Sequence, residues 1–315
     1  MTKQATATAD KLTDDAPPRA PVRAPRFRIA DYALLLKPRV MSLVVFTAIV
    51  GLTLAPGTID VATTLAAIVC IAVGAGAAGA INMWYDRDID LHMRRTMNRP
   101  LPAGRLSSRE ALVFGVLLAV MSVAAMAYRV NGTAAALLAL TILYYVFVYT
   151  VWLKRRTPQN IVIGGAAGAL PPVIGWAAVT GDVGLGAVIL FGIIFLWTPP
   201  HSWALALFRR SDYQAAGVPM MPVVAGERQT KRLMLIYTWL LVPVTLLPAV
   251  VGMSGAVYGC MAAFLGGAFV DRVWRIWKED GDERGARSLF FFSIFYLFLI
   301  FAALLADRMF FYPVF

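Results

Sequence analysis

This sequence is poor in charge. Only 15% of its 315 residues are Asp, Glu, Lys or Arg, against about a quarter in an ordinary soluble domain. With 59% apolar residues and a mean hydropathy of +0.69, that scarcity excludes a water-soluble domain, and disorder over most of the length. Cysteine occurs twice, as Cys70 and Cys260, each inside an apolar run, and no Cys-x-x-Cys exists. A zinc ribbon, a thiol redox pair, covalent haem attachment and a disulfide framework are therefore all unsupported. Residues 1–28 lack the apolar core of a secretory signal. Asp10, Asp14 and Asp15 speak against a mitochondrial presequence. This segment is expected to be a disordered cytoplasmic tail, and 29–315 a single transmembrane domain.

What is abundant is apolar sequence in lengths near the ~20 residues a spanning helix needs. Nine runs stand out: 38–56, 61–83, 110–129, 133–153, 161–180, 185–207, 233–253, 255–275 and 288–307. The expected fold class is all-α, a polytopic bundle of nine transmembrane helices. Of the 29 basic residues, 27 fall in the tail and on alternate loops, leaving Arg129 and Arg308 on the other side. Positive charge concentrates on cytoplasmic loops, so the N-terminus is expected inside and the C-terminus outside, across a bacterial inner membrane. The same partition accounts for the net charge of +11 without nucleic acid.

Chemistry concentrates in two cytoplasmic loops. The first begins Asn82-Met83-Trp84-Tyr85-Asp86-Arg87-Asp88-Ile89-Asp90. If the second run continues as a helix, Asn82, Asp86 and Asp90 fall on one stripe, with Asp88 roughly opposite. Carboxylates converging at a membrane boundary repel one another unless neutralised. Mg²⁺ is the natural candidate, because it takes oxygen ligands through one or two carboxylates together with substrate phosphates. Arg94, Arg95 and Arg99 follow closely, and arginine beside a metal-binding acid stripe suggests a diphosphate site. His92 lies in the same loop and reads as exposed or close to the diphosphate.

Asn-x-x-x-Asp-x-x-x-Asp followed by Arg95-Thr96-Met97-Asn98-Arg99-Pro100-Leu101 resembles the first aspartate-rich motif of the UbiA superfamily of intramembrane prenyltransferases, and within it the branch that farnesylates haem. Met83 and Ala216 depart from the quinone-pathway branch, where Asp is common. The second loop segment carries Trp197-Thr198-Pro199-Pro200-His201-Ser202-Trp203 and then Asp212-Tyr213, and resembles that branch's second motif region.

The resemblance implies transfer of a farnesyl group from farnesyl diphosphate to a vinyl group of haem b, with Mg²⁺ as cofactor and haem O as product. It also implies possible haem A synthase or oxidase-assembly partners. Asn82, Asp86 and Asp90 are then the catalytic metal site, with Asp212 a further ligand. Arg94 and Arg99 take the diphosphate, with Lys231 and Arg232 as further candidates. His201 is the haem-contact candidate; the alternative for it is helix packing against a freed carbonyl near the prolines. Rival readings are a transferase for 4-hydroxybenzoate or another aromatic acceptor, a transporter and an assembly scaffold. A transporter would carry ionisable groups at the midplane, and a scaffold leaves the acid stripe unexplained. Gly74–Gly79 and Gly164–Gly168 sit mid-membrane, and read as close-packing sites rather than phosphate loops.

Overall fold

The computed structural model describes residues 28–279, 281 and 283–310, so the expected tail lies outside the described residues apart from Arg28. All regular structure among these residues is helical. A short helix, α1 (Ile29–Leu35), precedes α2 (Pro38–Leu54), which is bent 53° from it. Then come α3 (Val61–Tyr85), the single turn α4 (Arg87–Asp90), α5 (Ser108–Arg129) and α6 (Gly132–Leu143). A π-helix, Tyr144–Leu153, continues α6 without a break. It is followed by α7 (Asn160–Ala169), α8 (Pro171–Thr180), α9 (Leu185–Phe208), α10 (Arg210–Ala215), α11 (Met221–Val224), α12 (Gly226–Val250), α13 (Ala256–Lys278) and α14 (Glu283–Phe310).

Eight rods are long and apolar enough to cross a bilayer, taking α6 with its π continuation and α7 with α8. The bent pair α1–α2 makes a ninth if it counts as one span. Side-chain caps fix several starts. Asp60 accepts from Thr63 N at 3.0 Å, Ser107 and Glu110 form a reciprocal capping box, and Asn131 accepts from Ala134 N at 2.8 Å. Asn131 also donates to the carbonyls of Ala177 and Ala178, tying the start of α6 to the end of α8.

Two boundaries differ from the sequence expectation. Run 161–180 is broken at Leu170, because Pro171 and Pro172 remove two backbone donors in succession. Helix α12 starts at Gly226, ahead of its apolar run, so Lys231 and Arg232 lie on a helix and not in a loop. The first turns of α12 are polar and supported by a Glu227–Lys231 pair one turn apart (2.7 Å). Hydropathy marks the part of a helix in lipid, not the whole helix.

Apolar side chains form two main cores. One gathers α9, α12, α13 and α14 around Trp203, Tyr258, Phe269, Tyr296 and Phe301. The other gathers α2, α3, α6 and α8 with Met126 of α5, around Ile71, Leu138 and Ile174. Between hydrocarbon-embedded helices the driving force is close packing, and small residues permit it. A β-carbon on Gly175 would lie 2.1 Å from Ala48 O, and one on Gly51 would lie 2.1 Å from Pro172 O, so α2 and α8 meet backbone to backbone. Gly164 makes room for the Tyr149 ring in the same way, at 2.2 Å.

Gly175→Ala should therefore lower the thermal midpoint in detergent, at a cost of about 1–3 kcal/mol or more from overpacking. Gly267→Ala, whose β-carbon would meet nothing within 4 Å, should leave the midpoint unchanged or raise it slightly. Equal effects of the two substitutions would contradict the α2–α8 contact.

Candidate active site at the charged end of the bundle

Helix α3 ends at Tyr85, but the backbone keeps its four-residue rhythm through the next turn. Asp86 N bonds to Asn82 O, and Asp90 N to Asp86 O, each at 2.9 Å. Asn82, Asp86 and Asp90 therefore stay in register across the helix break, and all three are buried, Asp86 completely. An ionised carboxylate without water needs partners. Asn82 Nδ2 donates to Asp86 Oδ2 at 2.7 Å. Lys154 pairs with the same oxygen, and Arg155 stands 3.8 Å from Oδ1. Asp86 Oδ1 accepts no hydrogen bond from any described residue.

Lys154 and Thr150 arrive from the π-helix, whose i to i+5 bonding brings residues five apart into register. Thr150 Oγ1 donates to Tyr145 O at 2.8 Å and accepts from Asn82 Nδ2 at 3.1 Å. Lys154 N closes on Tyr149 O at 2.9 Å. Lys37 comes from the hinge between α1 and α2, where its Nζ donates to Asn82 Oδ1 at 2.8 Å. Among the described residues Lys37 is the only non-glycine with positive φ (51°), and it precedes Pro38. Such a backbone costs of order 1–3 kcal/mol and persists where surrounding contacts over-determine it.

The outer acids are held by arginine. Arg99 pairs with Asp90 Oδ2 at 2.7 Å. Arg155 grips the exposed Asp88 with two bonds of 2.7 Å and holds its carboxyl below the usual carboxylate range. The second loop docks through an apolar patch in which Ile89 and Met93 meet Ala206, Tyr213, Val218 and Met220. Arg95 donates to the Tyr213 hydroxyl at 2.9 Å, with its guanidinium 5.4 Å from that ring. Asp212 is buried next to Tyr213; its Oδ2 accepts no hydrogen bond from any described residue, and Arg209 lies 3.8 Å from it.

Not every expected residue joins. Arg94 is exposed and paired with no described residue. Lys231 is buried between Glu227 and the carbonyl of Glu279. Arg232 lines a surface groove with Trp239 and Trp277. His92 lies against Asp88 O at 3.0 Å, closing its own turn. His201 of α9 bonds through Nδ1 to Ser293 of α14 at 2.7 Å. No group of three or more Asp, Glu, His or Cys close enough to hold a metal occurs among the described residues, so Asp86, Asp90 and Asp212 do not converge on one point as an acid cage. The site still suits a hard divalent cation. Its donors are oxygens, Asp86 Oδ1 and Asp212 Oδ2 accept no hydrogen bond from a described residue, and Mg²⁺ commonly completes its shell with phosphate and water.

A family profile described as the UbiA prenyltransferase family matches residues 44–295, covering every element that builds this site except the Lys37 hinge. The chain belongs to the UbiA prenyltransferase family. Similar sequences named protoheme IX farnesyltransferase come from Parvibaculum lavamentivorans and Acidiphilium cryptum. The first is 58% identical over 282 residues, covering 89% of each chain. The second is 58% identical over 287 residues, covering 89% of this chain and 90% of that one. In fold, the chain is similar to a digeranylgeranylglyceryl phosphate synthase structure (TM-score 0.75, 18% identity, 89% of this chain and 98% of that one). It is also similar to a UbiA homolog from Archaeoglobus fulgidus bound to GPP and Mg²⁺ (TM-score 0.66, 17% identity, 86% and 99%).

Sequence reading does not single out Lys37, Thr150, Lys154 or Tyr213. The positive-inside pattern explains Lys37, Lys154 and Arg155 wholesale, and so hides what they touch. The available signals are a lysine immediately before the proline that opens an apolar run, and Thr150 placed four residues before Lys154 at the end of another.

Removing Lys154 leaves buried Asp86 with the Asn82 amide and, as its one paired cation, Arg155 at 3.8 Å. Lys154→Met should destabilise the protein in micelles by about 3–5 kcal/mol, the usual cost of breaking a buried pair from one side. Adding Asp86→Asn to that variant should recover part of the loss; strictly additive losses would contradict the pairing.

Proposed function

We propose that the chain transfers a farnesyl group from farnesyl diphosphate to a vinyl group of haem b, with addition of water, to give haem O. The observation that carries this reading is the buried Asn82–Asp86–Lys154 array, in which one carboxylate oxygen accepts no hydrogen bond while Arg99, Lys154 and Arg155 pair with the acids and Lys37 with Asn82. The names of the similar curated sequences supply the acceptor and the length of the prenyl chain.

In this reading Asp86 and Asp90, just beyond the end of α3, would hold Mg²⁺ together with phosphate and water, Asp212 would reach it only by a movement of the second loop, and the metal would supply Lewis-acid stabilisation to the leaving diphosphate. Asn82 orients Asp86 through its amide, its own carbonyl oxygen being engaged by Lys37. Lys154 and Arg99 exchange their carboxylate partners for phosphate oxygens, Lys37 adds its charge beside them, and exposed Arg94 extends the same electropositive rim. The C1–O bond of the donor breaks and diphosphate departs. The allylic carbon bonds to the haem vinyl group, water captures the resulting cation, and a proton is released. Water must otherwise be kept from the allylic cation, and the apolar walls of the bundle do that.

The excess of basic residues at the aspartate end supports reading that end as the cytoplasmic side of a bacterial inner membrane. A haem carrying a farnesyl tail stays in the bilayer, so a haem A synthase or terminal oxidase would receive it there.

The test uses purified protein in detergent with haem b, farnesyl diphosphate and Mg²⁺, and extracted haems are identified by mass. Haem gaining farnesyl plus water is expected. Prenylation of added 4-hydroxybenzoate with haem untouched would overturn the acceptor. Chelation with EDTA should abolish turnover, and Mg²⁺ should restore it. Asp86→Ala should lower kcat by at least ~10²-fold, the usual scale for losing a group that stabilises developing charge. Asp88→Asn, at an exposed position, should cost less than ~10-fold.

A further inference from the structure

His201 is one of two histidines in the chain, and the chemistry at the aspartates leaves it unused. Its ring stacks on Trp197 of the preceding turn (centroids 4.2 Å, 16°) and on Phe290 of α14 (4.7 Å, 23°). Two nearly parallel neighbours at these distances occupy the two faces of the imidazole, so only its edge remains available. On that edge Nδ1 lies 2.7 Å from Ser293 Oγ. The serine hydroxyl has a single proton, and it is donated to Phe290 O at 2.7 Å. A carbonyl cannot return one. Nδ1 must therefore bring its own hydrogen to Ser293; in the neutral ring this is the Nδ1–H tautomer, with the lone pair on Nε2. No described residue hydrogen-bonds to Nε2. Trp197 Nε1 donates to Ser293 O at 2.7 Å, locking the stacked ring and the serine to each other.

A histidine that only joins two helices gains by using both nitrogens. Here the contacts orient the ring and hold one tautomer while the basic nitrogen stays uncommitted. A hydrogen bond from the distal N–H that fixes tautomer and orientation is the arrangement found behind metal-ligating histidines. We infer that His201 is an axial ligand of the substrate's iron, binding haem through Nε2. The inference rests on the haem acceptor proposed above. Ligation supplies what the aspartate site lacks, a fixed point for a large, flat acceptor that must hold one vinyl group steady against the allylic carbon. Neutral imidazole is an ordinary haem ligand, and Trp197 and Phe290 hold the plane of the ring.

The test is a titration of the full chain in detergent with ferric haem b, followed by its Soret band and electron paramagnetic resonance, beside a separate titration with farnesyl diphosphate and Mg²⁺. Wild type should give a histidine-ligated spectrum. His201→Ala should lose that signature and bind haem at least 10-fold more weakly, and free imidazole should restore the signature by filling the space left. Its affinity for farnesyl diphosphate should be unchanged, which shows that the variant is folded. Ser293→Ala should keep ligation but alter the spectrum, because the tautomer lock is gone. Wild-type spectrum and affinity in His201→Ala would overturn the ligand assignment and leave the acceptor standing. Failure of wild type to bind haem at all would overturn both.

Discussion

A carboxylate with no exposed surface, at the boundary of a membrane, constrains everything built around it. Asp86 would be intolerable alone, since the penalty for removing an ion from water exceeds anything one contact returns. Lys154, Arg155 and the Asn82 amide share the task of compensating it. Each must be brought from a different part of the chain, and each brings a demand of its own. Lys154 requires the end of the fourth apolar run to arrive at a particular angle. Asn82 requires its carbonyl to be satisfied in turn, and Lys37 does so from a hinge far away in sequence.

The irregular backbone of the protein follows from those demands. The π-helix Tyr144–Leu153 widens the turn so that Thr150 and Lys154 both reach α3, and functional sites are where such windings persist. The wider rod needs space, which Gly164 provides beside Tyr149. The hinge at Lys37 stores backbone strain, repaid by the Lys37–Asn82 bond and by the ion pair between Asp31 of α1 and Arg105 at 2.8 Å, which anchors the short helix against the loop after α4. The backbone contact of α2 with α8 sets the position of α2, and so of the hinge at its start.

The fold class was legible because a membrane leaves so few options. Nine apolar runs of spanning length admit only a helical bundle, and the charge partition reinforced the count. The register of Asn82, Asp86 and Asp90 was legible for a similar reason, since spacing by four survives a helix break when the backbone bonds continue. What stayed hidden was long-range pairing. Lys154 looks like any basic residue at the end of a span, and nothing local distinguishes it from Arg156 two positions on. Lys231 and Arg232 misled in the opposite direction. Placed in a basic loop by hydropathy, they belong to a helix, where Lys231 is consumed by Glu227 and Glu279. Positive-inside statistics assign a side to a charge but no partner.

The division of the bundle into two apolar cores gives the proposed chemistry a spatial logic. The carboxylates sit at the end of α3, in the half packed around Ile71 and Leu138. His201 and Ser293 belong to α9 and α14, in the half packed around Phe269 and Phe301. A transferase joining a diphosphate ester to a haem has to satisfy two unlike partners at once. One is a hydrated polyanion that must shed negative charge, and the other a flat apolar ring that must be held still. Acids and bases in one place serve the first, and a neutral, oriented imidazole among aromatic rings serves the second. Helix α9 holds His201 and leads directly into Asp212 and Tyr213, which dock on the first loop through Arg95. Two consecutive helices, α9 and α10, thus connect the proposed acceptor site to the aspartate end.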